Sequence, residues 1–453
     1  VTRRPLGPLA AVLIASALGC SAVTSPASPS ASATPGDYPP ASVAPDDTSG
    51  PPGPVERSNP RDRPPVPRVA DLPGAYRFIS TPDFLNQDVA DLTADGRRQF
   101  VDRRTGEVAN STNSEYDAAL EHVMTEMASH DTDDVLVAGD LVEGRWGRDD
   151  SRTGVFGPVR TEAQRLRAWR RAAATYFPAY RDRFEALGLR TYTAVGDHEI
   201  GDDPWRKPRN DAWIDFKRRH VLEFKTLYAR QMLTRADGRP RFTDRPPGPA
   251  HDTAYATRLD ENVLLVTIDV FERRGGDVHI SVDPQQLSWL KGVLRKARKD
   301  DVPWVMVQGH TPMTGDVRTR NSSHLVYEKG YRSDLWKAMV RGGVDVYLSG
   351  EVHDQTVHVH DGLLEVSHGS LFYRGEASYV VGQATADELV LENHQFRGTI
   401  SFDDRLWTTS RQGAPGHISY PRPSIVTGTL EAHRTASGGV RVDSAEGVLE
   451  PRG

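Results

Sequence analysis

The chain has 453 residues, 37% of them hydrophobic, and its 62 Asp and Glu outweigh 56 Lys and Arg for a net charge of −6. A chain this polar is not built on several membrane spans, and without an overall positive field it is no dedicated nucleic-acid binder. Its one Cys excludes a disulfide framework and any Cys-rich zinc or iron–sulfur site.

Taken in chain order, Arg3 and Arg4 are followed by an apolar stretch over residues 9–18 and then by Gly19, Cys20 and Ser21. About ten apolar residues are too few for a spanning helix, which needs roughly 20, and they suit a secretory signal over residues 1–20. The small residue before Cys20 makes this end resemble the lipobox of bacterial lipoproteins, with Ala17 standing where a larger residue is usual. That resemblance implies lipidation of Cys20 and anchorage on the outer face of the cell membrane, as the only membrane contact. An ordinary secretory cleavage site beside an incidental Cys is the other reading. Residues 21–70 are rich in Pro, Ser, Ala and Asp with few large apolar side chains, so a disordered tether is expected there.

A globular α/β domain is predicted over residues 71–410, and residues 411–453 form an extension with Pro and Gly at close intervals. One unit recurs four times: a short apolar run, a Gly and an ionisable residue. VLVAG leads to Asp140, YTAV-Gly196 to Asp197, VMVQ-Gly309 to His310 and VYLS-Gly350 to Glu351. Val-rich runs without polar alternation read as strands covered on both faces. The Gly turns the chain off the strand end, and the next side chain enters the crevice where open α/β sheets hold ligands. Between these runs, helices are predicted from an apolar stripe at Tyr116, Leu120, Val123, Met124 and Met127, and from Asp283 as N-cap with Pro284 in the first turn. Longer helical patterns cover residues 161–187 and 211–235. Beyond Gln355, the runs TVHVH, LLEVSH, SYVV, ELVLE and GTISF alternate, which predicts an antiparallel part of the sheet system.

The strand-end residues spell GDLVE (Asp140, Glu143), GDHE (Asp197, His198, Glu199), GHTP (His310) and GEVH (Glu351, His353). In this order the sequence resembles the calcineurin-like metallophosphoesterases over residues 76–368. Their blocks read D-x-H, G-D-x-x-D/E, G-N-H-E/D, a lone His, and G-H-x-H. The resemblance implies an α/β/β/α sandwich with mixed sheets. It also implies a centre of two divalent ions that share a hydroxide and hydrolyse phosphate mono- or diesters. Asp140 would bridge the ions, His353 would bind the first, Asp197 and His310 the second, and His198 would act on the phosphoryl group or the leaving oxygen.

The chain departs from the pattern in three places. After the strand YRFIS it reads TPDFLNQD with no His, so Asp83 is the candidate ligand and Asn86 and Asp88 are either contributors or turn residues. Asp197 stands where the family has Asn, and Glu351 where it has His. With Asp83 and Asp140 these make four carboxylates against two dications, a site near zero charge. Such a site favours weakly charged esters and hard ions such as Mn²⁺, Mg²⁺ or Ca²⁺ over zinc. Glu143, Glu199, Asp202, Asp203 and His368 are expected beside the ligands or in structural roles, and Trp146 in the cleft or the core. Substrate selection is expected in loops over residues 145–160, 201–210 and 315–331. An exported, metal-dependent phosphoesterase acting on a small ester follows. A non-catalytic or single-metal surface-binding protein on the same fold is the alternative, and an extracellular nuclease the second.

Overall fold

The computed structural model describes residues 56–58, 63–84, 114–142, 144, 146–147, 156–202, 212–313, 325–371, 377–401, 418–435 and 438–452. Cys20, Asn86, Asp88, Glu143, Asp203 and most of the three loops lie outside the described residues, as do the signal and most of the tether. Among the described residues no helix is long and apolar enough to cross a membrane.

The principal elements, in chain order, are β1 (Tyr76–Ser80), α1 (Ser114–Ala128), β2 (Asp134–Val137), α2 (Glu162–Ala186), β3 (Arg190–Thr193) and α3 (Ala212–Met232). Then follow β4 (Tyr255–Arg258), β5 (Val263–Thr267), α4 (Pro284–Lys299), β6 (Trp304–Gln308), α5 (Asp334–Gly342), β7 (Val346–Ser349), β8 (Thr356–His360) and β9 (Leu363–Ser367). The chain closes with β10 (Ala377–Ala384), β11 (Glu388–Phe396), β12 (Ile425–Arg434) and β13 (Val440–Gly447). Helix starts follow their caps: Thr161 accepts from the Gln164 amide ahead of α2, and Asp283 accepts from Gln285 and Gln286 with Pro284 opening α4.

Two mixed sheets result. The first runs β13-β12-β11-β10-β1-β2-β3, with β1, β2 and β3 parallel and the rest antiparallel. The second runs β8-β9-β7-β6-β5-β4, parallel through β9, β7, β6 and β5 with an antiparallel strand at each edge. Alternation of side chains fixes the layers. Phe78, Leu136, Val380 and Leu391 of the first sheet meet Leu265, Met306, Leu348 and Val366 of the second in one buried cluster. Their neighbours Val135, Val137, Val305 and Val307 point outward into the cluster that holds the helices. This is the α/β/β/α sandwich, and it brings the carboxyl ends of β1, β2, β3, β6 and β7 together.

Two segments differ from their sequence reading. LLEVS pairs antiparallel with TVHVH, as its alternation predicts, but on its other side β9 pairs parallel with β7 and so belongs to the covered part of the second sheet, because its apolar residues lie on both faces. Residues 63–70, expected in the tether, dock on the first sheet, with Val66 N donating to Val426 O and Arg68 reaching Glu392 at 3.1 Å. A few polar anchors suffice where apolar area is small. Residues 425–447 supply β12 and β13 to the same sheet.

Candidate metal centre

Each ligand candidate sits just past a parallel strand: Asp83 after β1, Asp140 after β2, Asp197 after β3, His310 after β6, and Glu351 and His353 after β7. The chain must turn at once to hold them there, and Asp83, Asp140, Glu351 and His353 all adopt positive φ, between 53° and 67°. For residues with a Cβ this is a costly conformation that marks functional turns. Gly196 is required for a different reason: a Cβ there would collide with the Asp140 carboxylate.

Asp83, Asp140, Asp197, His310, Glu351 and His353 are all buried. The centre of the group is His310. Its Nδ1 donates to Ala138 O at 2.8 Å, which turns Nε2 toward Asp197 Oδ1 at 3.0 Å, Asp140 Oδ2 at 3.3 Å and Glu351 Oε2 at 3.5 Å. A backbone carbonyl on one ring nitrogen is the usual way to aim the other at a metal. Asp83 Oδ1 accepts from the Glu351 amide at 3.2 Å and lies 3.7 Å from His353 Nε2. His198, partly open to solvent, places Nε2 3.8 Å from Asp140 Oδ2, while its amide donates to Asp140 Oδ1 at 3.1 Å.

Electrostatics follow from this crowding. Burial, then Asp140 and Glu351, lift Asp83 well above the carboxylate range, with His310 pulling the other way. Burial would lower His310, but Asp140, Asp197 and Glu351 hold its protonated form well above the ordinary value. Burial opposes ionisation of Asp197, yet His198 and His310 outweigh it and bring the group down to about 2. Four buried carboxylates thus face His198, His310 and His353, a concentration of negative charge that is costly without cations. Asp83 Oδ2 and Asp197 Oδ2 are buried and have no hydrogen-bond partner among the described residues. Within three overlapping sets, Asp83 with Asp140 and His310, Asp140 with Asp197 and His198, and Asp197 with His310 and Glu351, donor atoms lie within 4.8 Å of one another. The donor set fits divalent ions.

The remaining candidates separate clearly. Glu199 is buried behind the ligands and accepts the amides of Gly196 at 2.7 Å and of Asp140 and Leu141 at 2.8 Å. Burial and the Asp140 carboxylate push it up to about 7 against these donors. Asp202 accepts at its carbonyl from Lys217 Nζ and closes the turn after His198. His368 lies outside the ligand sets, with Nε2 2.8 Å from Ser80 Oγ. Trp146 packs into the core against Trp169, Tyr176 and Phe177. Sequence reasoning missed that Glu199 links two ligand loops; the Glu of GDHE was visible, but its amide partners were not.

A sequence profile described as calcineurin-like phosphoesterase matches residues 112–355. An acid phosphatase of Aspergillus ficuum is 32% identical over 120 residues, 26% of this chain, and the match spans 19% of that protein's length. Among solved structures, Plasmodium GAP50, the anchor in the inner membrane complex, is 11% identical with TM-score 0.37, covering 78% of this chain and 89% of its own. A putative 5'-nucleotidase from Staphylococcus aureus is 10% identical with TM-score 0.35, covering 84% of this chain and 55% of its own. Phosphopantetheinyl hydrolase from Mycobacterium tuberculosis is 12% identical with TM-score 0.27, covering 66% and 92% respectively.

Proposed function

The chain belongs to the calcineurin-like phosphoesterase family, and on that premise we propose that it hydrolyses phosphate esters at this centre. The observation that carries the reading is the convergence of three buried carboxylates, those of Asp140, Asp197 and Glu351, on the aimed Nε2 of His310. Asp83, Asp140, Asp197, His310, Glu351 and His353 would hold two divalent ions. Bound there, such ions would neutralise phosphoryl charge and lower the pKa of an attacking water. Asp140 lies between the His198 and His310 imidazoles and orients both the loop and the ring. His198, at the solvent side, would protonate the leaving oxygen, a task worth about 10²–10⁴ in rate.

The substrate class follows from charge. Carboxylates in place of the family's Asn and His reduce the positive field, which suits a diester or another weakly charged ester and hard ions of the Mn²⁺, Mg²⁺ or Ca²⁺ type. Turnover of p-nitrophenyl phosphate and bis-p-nitrophenyl phosphate across a metal panel tests this. Hard-metal activity, lost in Asp140→Asn and reduced about 10²-fold or more in His198→Ala, is expected. Stoichiometric zinc with full activity sinks the metal assignment, and metal binding without turnover leaves a non-catalytic binding protein. In the same reading the protein acts outside the cell, held by a lipidated Cys20. Labelling with an alkyne fatty acid is expected in the intact chain and absent in Cys20→Ser; equal labelling of both refutes the anchor.

A further inference from the structure

The outer face of the first sheet carries a second group of ligand-type side chains, apart from the centre above. Register sets Tyr379 on β10 opposite His394 on β11, with rings stacked 5.2 Å apart. Val380 turns inward to the sheet interface, so Tyr379 faces the helical side. The end of α1 brings Glu126 over this pair, and His130 follows in the turn just beyond the helix, where its amide donates to Met127 O. Ser424, just before β12, completes the group. Glu126 accepts from the Ser424 amide at 3.0 Å, the Ser424 hydroxyl and the Tyr379 hydroxyl at 3.0 Å. The His130 and His394 rings lie 4.7 Å apart. One Glu126 oxygen and one ring nitrogen from each histidine fall within 4.8 Å of one another.

The proton inventory is informative. A carboxylate only accepts, so Ser424 and Tyr379 each give their single hydroxyl proton to Glu126. Their oxygens then accept: Ser424 Oγ from His394 Nδ1 at 3.0 Å, and Tyr379 Oη from His130 Nε2 at 2.7 Å. These tautomers are assigned from the network. Each imidazole is thereby fixed through one nitrogen, which leaves the other clear of these hydroxyls. For His394 that atom is Nε2, buried and without a hydrogen-bond partner among the described residues. It lies 3.5 Å from Glu392 Oε2, an atom that also meets Arg68 at 3.1 Å.

We propose that Glu126, His130 and His394 form a binding site for a zinc-type divalent cation, separate from the catalytic centre. Two imidazoles with one carboxylate match zinc and its transition-metal neighbours rather than Mg²⁺ or Ca²⁺, and the Ser424 and Tyr379 hydroxyls, each bonded to one ring nitrogen and to Glu126, supply the orienting contacts such ligands need. The cation would tie the end of α1 and the segment before β12 to the antiparallel wing of the first sheet, a structural role independent of the reaction assigned to the catalytic centre.

Cobalt titration of the full, demetallated chain tests this, with cobalt as the spectroscopic probe. Cobalt held at the catalytic centre is common to both proteins, so His394→Gln is expected to bind one equivalent less than the wild type with the matching loss of d–d absorption, and the same deficit is expected on an Asp140→Asn background. Unchanged cobalt stoichiometry and absorption in a folded His394→Gln overturns the site. Should that variant not fold, crystals of the wild type soaked in zinc decide: an anomalous peak bounded by Glu126, His130 and His394 sustains the proposal, and a map without one there overturns it.

Discussion

Two buried histidines at strand ends are set for opposite tasks by what their rings meet. His310 gives one nitrogen to a carbonyl and offers the other to three carboxylates. Among the described residues the His368 ring hydrogen-bonds only to the Ser80 hydroxyl, and burial lowers it to about 3. A depressed histidine contributes stability above its unfolded value near 6.5, and that contribution is lost as pH falls toward 3. Going from pH 7 to pH 5 therefore costs about 2 kcal/mol through His368 alone. Urea unfolding at the two pH values measures it, and His368→Gln is expected to flatten the acid side by about that amount. An unchanged pH slope in the variant would show that His368 is not the group responsible.

At the level of elements, the strand, glycine and charged residue form one device used repeatedly. The apolar run hides the strand, the turn takes the chain into a left-handed conformation at Asp83, Asp140, Glu351 and His353, and the ligand arrives at a fixed height above the sheet. Glu199 joins two such devices by accepting amides from both the loop after β2 and the loop after β3. Glu199→Gln would place an NH₂ against a buried amide donor, at a cost of about 1–3 kcal/mol, and would misalign Asp140 with Asp197. Calorimetry should show the lower Tm, and metal affinity should fall with it; a variant with native Tm and native affinity would remove Glu199 from this role. Much of this was legible in the sequence, because GDLVE, GDHE, GHTP and GEVH each follow a Val-rich run. Asp83 was legible only as a candidate, since its block lacks the usual His. The links made by Glu199, and the meeting of His130 with His394, were not legible, because strand register and backbone amides far apart in the chain create them.

For the whole molecule, the balance of −6 is not spread evenly: Asp83, Asp140, Asp197 and Glu351 bury part of it in one place. Such a fold is stabilised by whatever cation it binds. At a free metal concentration 100 times its dissociation constant, the gain is about 2.7 kcal/mol. Chelation is expected to lower Tm, and the same chelator should move Asp140→Asn less; an identical drop in both would place the stabilising metal elsewhere.

The division of ligands between the two sheets has a further consequence for how the protein matures. β1, β2 and β3 deliver Asp83, Asp140 and Asp197, whereas β6 and β7 deliver His310, Glu351 and His353. Neither half of the chain holds a complete donor set, and the interface cluster must close before the two groups of ligands meet. In the proposed reading, metal capture is expected to follow the docking of the two sheets.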